Sequence, residues 1–160
     1  MLKRARSTDI CAIFLFTNKT DSVVYRMLKL SKKVEYGLIA MRHIASINDG
    51  KIATAKEIAG AYHISQELLA KVLQKLAKEG LVVSHQGVRG GYALGRRADQ
   101  ISISTIINAI EGQLPGITQC IADTPQSCSI FENCTIKNPL GKIQGNIELM
   151  FSTMKVSEII

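Results

Sequence analysis

The stretch that decides the fold runs from Thr54 to Leu94 and reads TAKEIAGAYHISQELLAKVLQKLAKEGLVVSHQGVRGGYAL. It begins with Thr54-Ala55-Lys56-Glu57, a capping-box pattern in which the hydroxyl and the carboxylate each satisfy a backbone N–H group. A short helix is therefore predicted from Thr54 to Tyr62, and Ser65 is a good N-cap for a second helix that ends at Gly80. The inner face of this second helix comprises Leu68, Leu69, Val72, Leu73 and Leu76. Because the turn between the helices is short, they must cross steeply, which is typical of a helix-turn-helix.

A two-stranded wing follows this helix pair at once. Leu81–His85 has the pattern of a strand, Gln86–Gly91 that of a glycine-rich turn, and Tyr92–Leu94 that of the returning strand. A glycine-rich hairpin alone is a weak signal, since tight turns need glycine for structural reasons. Its place directly after a capped helix-turn-helix predicts the wing of a winged helix-turn-helix domain.

Further helices lie on either side of this unit. Leu30–Ile47 has the apolar spacing of a helix with one buried face, and Ser104 is predicted to cap a helix that Gly112 ends. Asn138-Pro139 supplies an N-cap and a first-position proline for a long last helix. Its apolar residues recur at three- and four-residue steps: Leu140, Ile143, Ile147, Met150 and Met154. This seam suits packing on another helix, and we predict a homodimer interface, with packing on its own domain as the alternative.

The composition agrees with a mainly α protein. The chain has 160 residues, no Trp and few aromatic residues, so aliphatic helices are expected to build its core. The predicted architecture is a winged helix-turn-helix DNA-binding domain with a two-stranded β-wing, a cysteine-bearing loop and a long C-terminal dimerisation helix.

The charge is unevenly distributed along the chain. Met27–Ala98 carries 12 basic and 5 acidic residues, whereas Asp99–Ile160 carries 3 basic and 6 acidic ones. This asymmetry is typical of a phosphate-binding module joined to a control or assembly module, with a solvated basic surface without a partner as the alternative. Together with the motifs, it divides the chain into a DNA-binding domain at 27–98 and, at 99–160, the cysteine-bearing loop, which is the candidate cluster-binding loop, with the dimerisation helices. Residues 1–26 are interpreted as a disordered or misassigned extension, because Met27 lies directly before the first amphipathic pattern. Their apolar run Ile10–Phe16 is too short to span a bilayer, and neither secretion nor membrane binding is expected.

The polar face of the second helix of the pair is expected to enter the major groove of double-stranded DNA. It offers donors and acceptors at Ser65, Gln66, Glu67, Lys71 and Gln74, while Lys75 and Lys78 near the helix end are expected to touch only the DNA backbone. In the wing, Arg89 and Gly90 form the tip and can approach the minor groove, with His85 and Gln86 beside them. For each residue taken singly, a solvated surface position is the alternative.

The four cysteines are unevenly placed. Cys120, Cys128 and Cys134 fall within fifteen residues, with seven and then five residues between them, and Cys11 stands apart as an incidental thiol. The long helical patterns argue against a secreted disulfide scaffold and favour a reducing cytoplasm. Zinc sites usually use close Cys-x-x-Cys pairs, which this chain lacks, whereas an iron–sulfur cluster tolerates wide spacing. Spacing alone leaves an iron–sulfur cluster and a metal-free thiol sensor both open.

An enzyme is not expected. The three histidines, His43, His63 and His85, are scattered, and no motif places a nucleophile beside an acid and a base.

These motifs resemble the Rrf-two family of bacterial winged helix-turn-helix transcriptional regulators. The resemblance rests on Leu30–Leu38, on Ile58-Ala59 and Ile64-Ser65, on Leu76–Val82, and on Gly87–Leu94. It implies a homodimer that binds a promoter operator as a repressor, and it adds Lys32 and Lys33 to the DNA-binding candidates. Many members have an arginine before the first wing glycine, where this chain has Gln86, so its wing contacts are expected to differ.

The resemblance also bears on the cysteines. Cluster-binding members such as IscR, NsrR and RirA carry three cysteines in this region, which implies a two-iron or four-iron cluster on Cys120, Cys128 and Cys134. Lys137 stands where IscR-like members have a histidine ligand, and an ammonium is no ligand at neutral pH. Glu35 matches an aspartate that serves NsrR-like members from the partner subunit, with a charge favoured by the helix dipole as the alternative. The predicted function is sensing of iron–sulfur status, redox state or nitric oxide; a metal-free thiol-redox or metabolite-responsive regulator is the alternative.

Overall fold

The computed structural model describes residues 29–47, 52–87, 90–118 and 129–160. They form α1 (Lys32–Ser46), α2 (Ala55–Tyr62), α3 (Gln66–Lys78), β1 (Val82–His85), β2 (Gly91–Leu94), α4 (Ile103–Glu111) and α5 (Lys137–Thr153), with short 3-10 turns at Ala98–Gln100, Phe131–Asn133 and Val156–Glu158. This mainly helical architecture with one antiparallel strand pair confirms the predicted fold class. The predictions for residues 1–26, Arg89, Cys120 and Cys128 fall outside the described residues.

Side-chain caps start the helix-turn-helix where the sequence predicts them. The Glu57 N–H donates to Thr54 Oγ1 at 3.0 Å, and the Thr54 N–H donates to Glu57 Oε2 at 2.7 Å, which completes the capping box of α2. These bonds with Thr54 stabilise the carboxylate and lower the pKa of Glu57. His63 adopts a left-handed backbone, with φ of 53°, and ends α2, while the Ser65 hydroxyl accepts the Leu68 N–H at the start of α3. Both predicted helices are confirmed.

The predicted start of α4 is wrong by two residues. Its N-cap is Ser102, whose Oγ accepts the Thr105 N–H at 3.2 Å, and Ser104 lies inside the helix. Ser102 has an extended backbone because it pairs with Lys155 in an isolated β-bridge. It is therefore the last residue before the helix and the one whose hydroxyl faces the first turn.

The predicted cap of α5 is also wrong. The helix begins at Lys137, so Asn138 and Pro139 lie within its first turn, and the N-cap Ile136 makes no side-chain hydrogen bond. Proline is tolerated there because the first-turn N–H groups have no partner within the helix.

One hydrophobic core joins α1, α3 and α4. Its fully buried members include Met41, Leu69, Leu73, Leu76, Ile106, Ile107 and Ile110. The outer face of α3 is thereby held in a fixed orientation by the helices behind it. Within the described residues, no helix has the length and apolar character needed to cross a membrane.

The wing is fastened to the segment that precedes α2. Its two strands pair from Val82 opposite Leu94 to His85 opposite Gly91. Beyond this hairpin, the Ala53 N–H donates to the Tyr92 carbonyl at 3.0 Å and the Tyr92 N–H donates to the Ala53 carbonyl at 2.8 Å. The bridge therefore joins the wing directly to the start of the helix-turn-helix.

After α5 the chain returns to the start of α4. The Ile103 N–H donates to the Met154 carbonyl at 3.0 Å, and the Val156 N–H donates to the Ile101 carbonyl at 2.9 Å. The Val156 side chain is fully buried in the core. The end of α5 is thus built into the same body as the helix-turn-helix.

Candidate nucleic-acid interface and cysteine segment

The amphipathic helix α3 presents a polar face away from the core. Its buried side comprises Leu69, Val72, Leu73 and Leu76, and its exposed side includes Gln66, Glu67, Lys71 and Gln74. Within the described residues, no hydrogen bond or ion pair occupies the side chains of Gln66, Lys71 and Gln74. The Ser65 hydroxyl accepts a backbone N–H as the N-cap, and its own hydrogen is left to donate outward. The predicted residues of this helix therefore share one exposed surface.

Lys75 differs from the other lysines of α3. Its ammonium donates to the Ile110 carbonyl in the last turn of α4, where unpaired carbonyl groups give the helix a partial negative charge. The prediction that Lys75 touches only the DNA backbone did not include this partner, because 35 residues separate the two positions. Lys75 has a structural role between α3 and α4.

The wing turn is close-packed at Gly90. Its N–H donates to the Gly87 carbonyl at 2.9 Å, and a Cβ at this position would lie 2.5 Å from the His85 carbonyl oxygen and 3.0 Å from that of Gly87. Only glycine fits such an approach. The turn itself thus explains Gly90, while His85 and Gln86 are exposed beside it.

The first turn of α1 holds three predicted site residues. The Lys32 ammonium donates to Glu35 Oε2, and this hydrogen bond is the largest cause of the raised pKa of Lys32. The side chains of Lys32 and Glu35 keep 66% and 36% of their surface exposed, so water screens the pair and it adds little stability. Lys33 is also exposed. Within the described residues, Lys32 is thus the side chain that pairs with the Glu35 carboxylate.

Cys134 lies between the 3-10 turn Phe131–Asn133 and the start of α5, and its thiol is partly buried. It lies two residues before Ile136, the N-cap of α5, which makes no side-chain hydrogen bond. Lys137 places its ammonium 3.7 Å from the centroid of the Phe131 ring, a cation–π contact that uses it as a cation. Among the described residues, no group of three or more His, Cys, Asp and Glu side chains is placed to hold a metal.

Sequence reasoning missed Gln144. It is the one buried residue among those described in α5, and its amide bonds to the chain that leads to Cys120. The helical periodicity was read from apolar residues only, so a polar residue such as Gln144 was not counted as buried. Its position on the helix, four residues after Leu140, was the only available signal.

Comparison with known proteins identifies the family. A family model described as "Iron-dependent Transcriptional regulator" matches residues 30–160. The regulator NsrR of Oceanobacillus iheyensis is 34% identical over 115 residues, which is 72% of this chain and 78% of that protein.

Solved structures agree. CymR, the global cysteine regulator of B. subtilis, superimposes with a TM-score of 0.67 at 26% identity, covering 83% of this chain and 96% of that one. IscR of T. potens gives a TM-score of 0.61 at 29% identity, covering 82% and 85%.

These relatives are transcriptional regulators and not enzymes, as the sequence predicts. Their winged helices bind DNA, which agrees with the exposed polar face of α3. The family match covers nearly all of the described residues. The chain therefore belongs to the Rrf2 family of winged-helix transcriptional regulators.

Proposed function

We propose that the protein is a homodimeric repressor whose DNA binding is controlled by an iron–sulfur cluster on Cys120, Cys128 and Cys134. The observation that carries the proposal is the triplet of thiols in one short segment attached to a winged helix of this family. Soft thiolate ligands suit iron–sulfur clusters. The partly buried thiol of Cys134 beside the uncapped end of α5 fits such a role.

The residues present also limit which side chain can serve as the fourth ligand of the cluster. Lys137 is engaged with Phe131, and its ammonium has no lone pair to offer. Glu35 has a carboxylate that an exposed lysine alone occupies within the described residues. We propose Glu35 as the fourth ligand, reaching the cluster from the partner subunit. When bound, the cluster supplies a group that reacts with oxygen and nitric oxide.

DNA recognition is proposed for the exposed face of α3 together with the wing. Gln66 and Gln74 can each pair with an adenine edge, and Lys71 with guanine or phosphate. The basic residues of the wing and of the first turn of α1, including Arg89 and Lys33, are proposed to hold the DNA backbone or minor groove. The bridge between Ala53 and Tyr92 keeps the wing at a fixed position beside α3.

Dimerisation is proposed through α5. Ile143 and Met150 are 50% and 47% exposed, and Met154 continues the same stripe. Leu140 and Ile147 on that stripe are partly buried, so an apolar surface several turns long faces solvent. A second copy offers the same stripe by twofold symmetry, which also matches the two half-sites of an operator.

The decisive experiment is anaerobic purification followed by visible absorption and by iron and sulfide determination. Alanine at any one of Cys120, Cys128 and Cys134 should abolish stable cluster binding, since two thiolates cannot hold it against exchange and oxygen. Cys11→Ala is the matched control and should leave the cluster unchanged. Glu35→Ala should have a milder effect, seen as faster bleaching in air. Equal iron and sulfide in the wild type and all three loop variants would refute the proposal.

The similarity to CymR favours a second candidate, a metal-free thiol-redox or metabolite-responsive regulator. The same preparation separates the two. A colourless anaerobic protein that binds its own promoter in a salt-dependent manner would support the second candidate.

A further inference from the structure

Gln144 attaches the start of the cysteine segment to α5, where the cysteine segment is the stretch between α4 and α5 that contains Cys120, Cys128 and Cys134. Its side chain is polar yet only 5% exposed. Oε1 accepts the Ile117 N–H at 3.0 Å, and Nε2 donates to the Pro115 carbonyl at 3.3 Å and to Glu148 Oε1 at 2.7 Å. Because an N–H can only donate and a carbonyl can only accept, these partners fix a single orientation of the amide.

The loop after α4 needs such a partner. Pro115 and Ile117 belong to no helix or strand, and both are partly buried. A buried backbone group without a hydrogen bond is costly, and Gln144 supplies one acceptor and one donor at the required spacing. Its amide hydrogen-bonds to the backbone of this loop, as a neighbouring strand would. An apolar side chain at position 144 would leave both backbone groups unsatisfied.

The position of this clamp links two parts of the proposed regulator. Ile117 lies three residues before Cys120, and Gln144 lies next to Ile143 of the exposed apolar stripe on α5. Three residues span at most about 10 Å of extended chain, so a displacement of Cys120 that takes up this length pulls on the clamp. A helix then carries that displacement along its length as a rigid unit.

We infer that Gln144 is a positioning residue that transmits the state of the cysteine segment to α5 and, through α5, to the paired DNA-binding domains. This inference rests on the proposed function. Its mechanism needs no direct contact between Gln144 and the cluster. Gln144 holds one end of the segment so that a change at the thiols moves the helix rather than the loop alone.

The test compares the full-length wild type with Gln144→Ala and two matched controls. Asn146→Ala alters an exposed residue of the same helix, and Glu148→Gln keeps both bonds from Gln144 to the backbone. Two quantities are measured: hydrogen exchange at the Ile117 amide in the cluster-free protein, and the ratio of promoter affinities with and without the cluster. Gln144→Glu is a further variant that keeps the acceptor for Ile117 and loses the donor for Pro115.

In Gln144→Ala, exchange at Ile117 should accelerate about tenfold, as expected for the loss of one ordinary hydrogen bond. The affinity ratio should fall toward one while the visible spectrum of the loaded protein is retained. In both the exchange rate and the affinity ratio, Gln144→Glu should lie between Gln144→Ala and the wild type. Asn146→Ala and Glu148→Gln should match the wild type in both. If Gln144→Ala does not fold, Gln144→Glu decides, because a wild-type ratio there overturns the inference.

A wild-type affinity ratio in Gln144→Ala, with or without faster exchange, would show the clamp to be structural only and overturn the inference. A wild type that takes up no cluster would instead refute the proposed function, and the inference with it. The exchange measurement needs no cluster, so it still reports whether the clamp holds the loop. The two failures are therefore distinguishable.

Discussion

Replacing Gly91 by alanine tests whether the wing depends on its bridge to the segment before α2. The new Cβ would lie 2.7 Å from the Ala53 carbonyl oxygen and would also collide with the side chain of Ile52. The new Cβ would also lie 2.9 Å from the Ala53 carbonyl carbon and closer still to Ile52 Cγ2, whereas contacts between carbons are optimal at about 3.5–4.0 Å, so β2 must retreat by about 1 Å. The two bonds between Ala53 and Tyr92, at 3.0 and 2.8 Å, would then lengthen beyond useful range.

The magnitude follows from those two hydrogen bonds. Each contributes about 1 kcal/mol, so the free energy of unfolding should fall by about 2 kcal/mol. For a chain of this size that corresponds to a Tm lower by roughly 4–8 °C. A wing that no longer sits beside α3 should also weaken promoter binding about tenfold at fixed salt.

Thermal and urea unfolding of the reduced protein measure the first effect, and fluorescence anisotropy with a promoter duplex measures the second. Gly60→Ala is the matched control, because an added Cβ there meets open space in α2. It should raise the free energy of unfolding by up to about 1 kcal/mol through helix propensity. If Gly91→Ala left both the Tm and the promoter affinity unchanged, the wing would not need the bridge.

Three further tests separate DNA contacts, assembly and capping. Lys71→Ala should reduce the slope of log affinity against log salt by about one phosphate contact. Lys75→Ala loses its bond to α4, so it should lower the Tm and keep the wild-type slope. Equal slopes in the two variants would contradict this division. Ile143→Glu should give a monomer in sedimentation, while Leu149→Glu, 61% exposed but outside the stripe, should leave a dimer; a monomeric wild type would rule out this interface. Thr54→Ala should lower the free energy of unfolding by about 1 kcal/mol. Because the Thr54 N–H lowers the pKa of Glu57 in the folded protein, the contribution of the Glu57 carboxylate should be present at neutral pH and be lost as the pH falls through that folded pKa; urea unfolding across an acid series should show the wild type losing its advantage over Glu57→Ala.

The parts of the fold that the sequence predicts correctly depend on near neighbours. Thr54 and Ser65 cap their helices through bonds to N–H groups three residues away, so their patterns are visible in a short window. The start of α4 depends instead on a bridge between Ser102 and Lys155, far apart in the chain, and no local pattern reports it. Ser104 was an equally good candidate by local criteria.

The candidate site divides in the same way. The exposed face of α3 follows from helical periodicity, and the structure places Gln66, Lys71 and Gln74 on it. The contacts of Lys75 with α4 and of Gln144 with the loop at Ile117 join distant segments, and only the folded chain reveals them. The proposed cluster stays a prediction, because two of its three thiols lie outside the described residues.

The return of the chain from α5 to the start of α4 has a practical consequence for building hybrid regulators. Val156 is fully buried beside Ile101, and Arg42 of α1 donates to the Ile159 carbonyl at 2.7 Å. A fusion that cuts after the wing and appends a foreign sensor would therefore remove part of the scaffold that supports the DNA reader. A new sensing loop should be grafted between Ile117 and Cys134, so that α5 and its closing turn are kept. Such an insertion preserves the contacts of α5 with the loop at Ile117 and with the start of α4, and the scaffold that supports the helix-turn-helix stays complete.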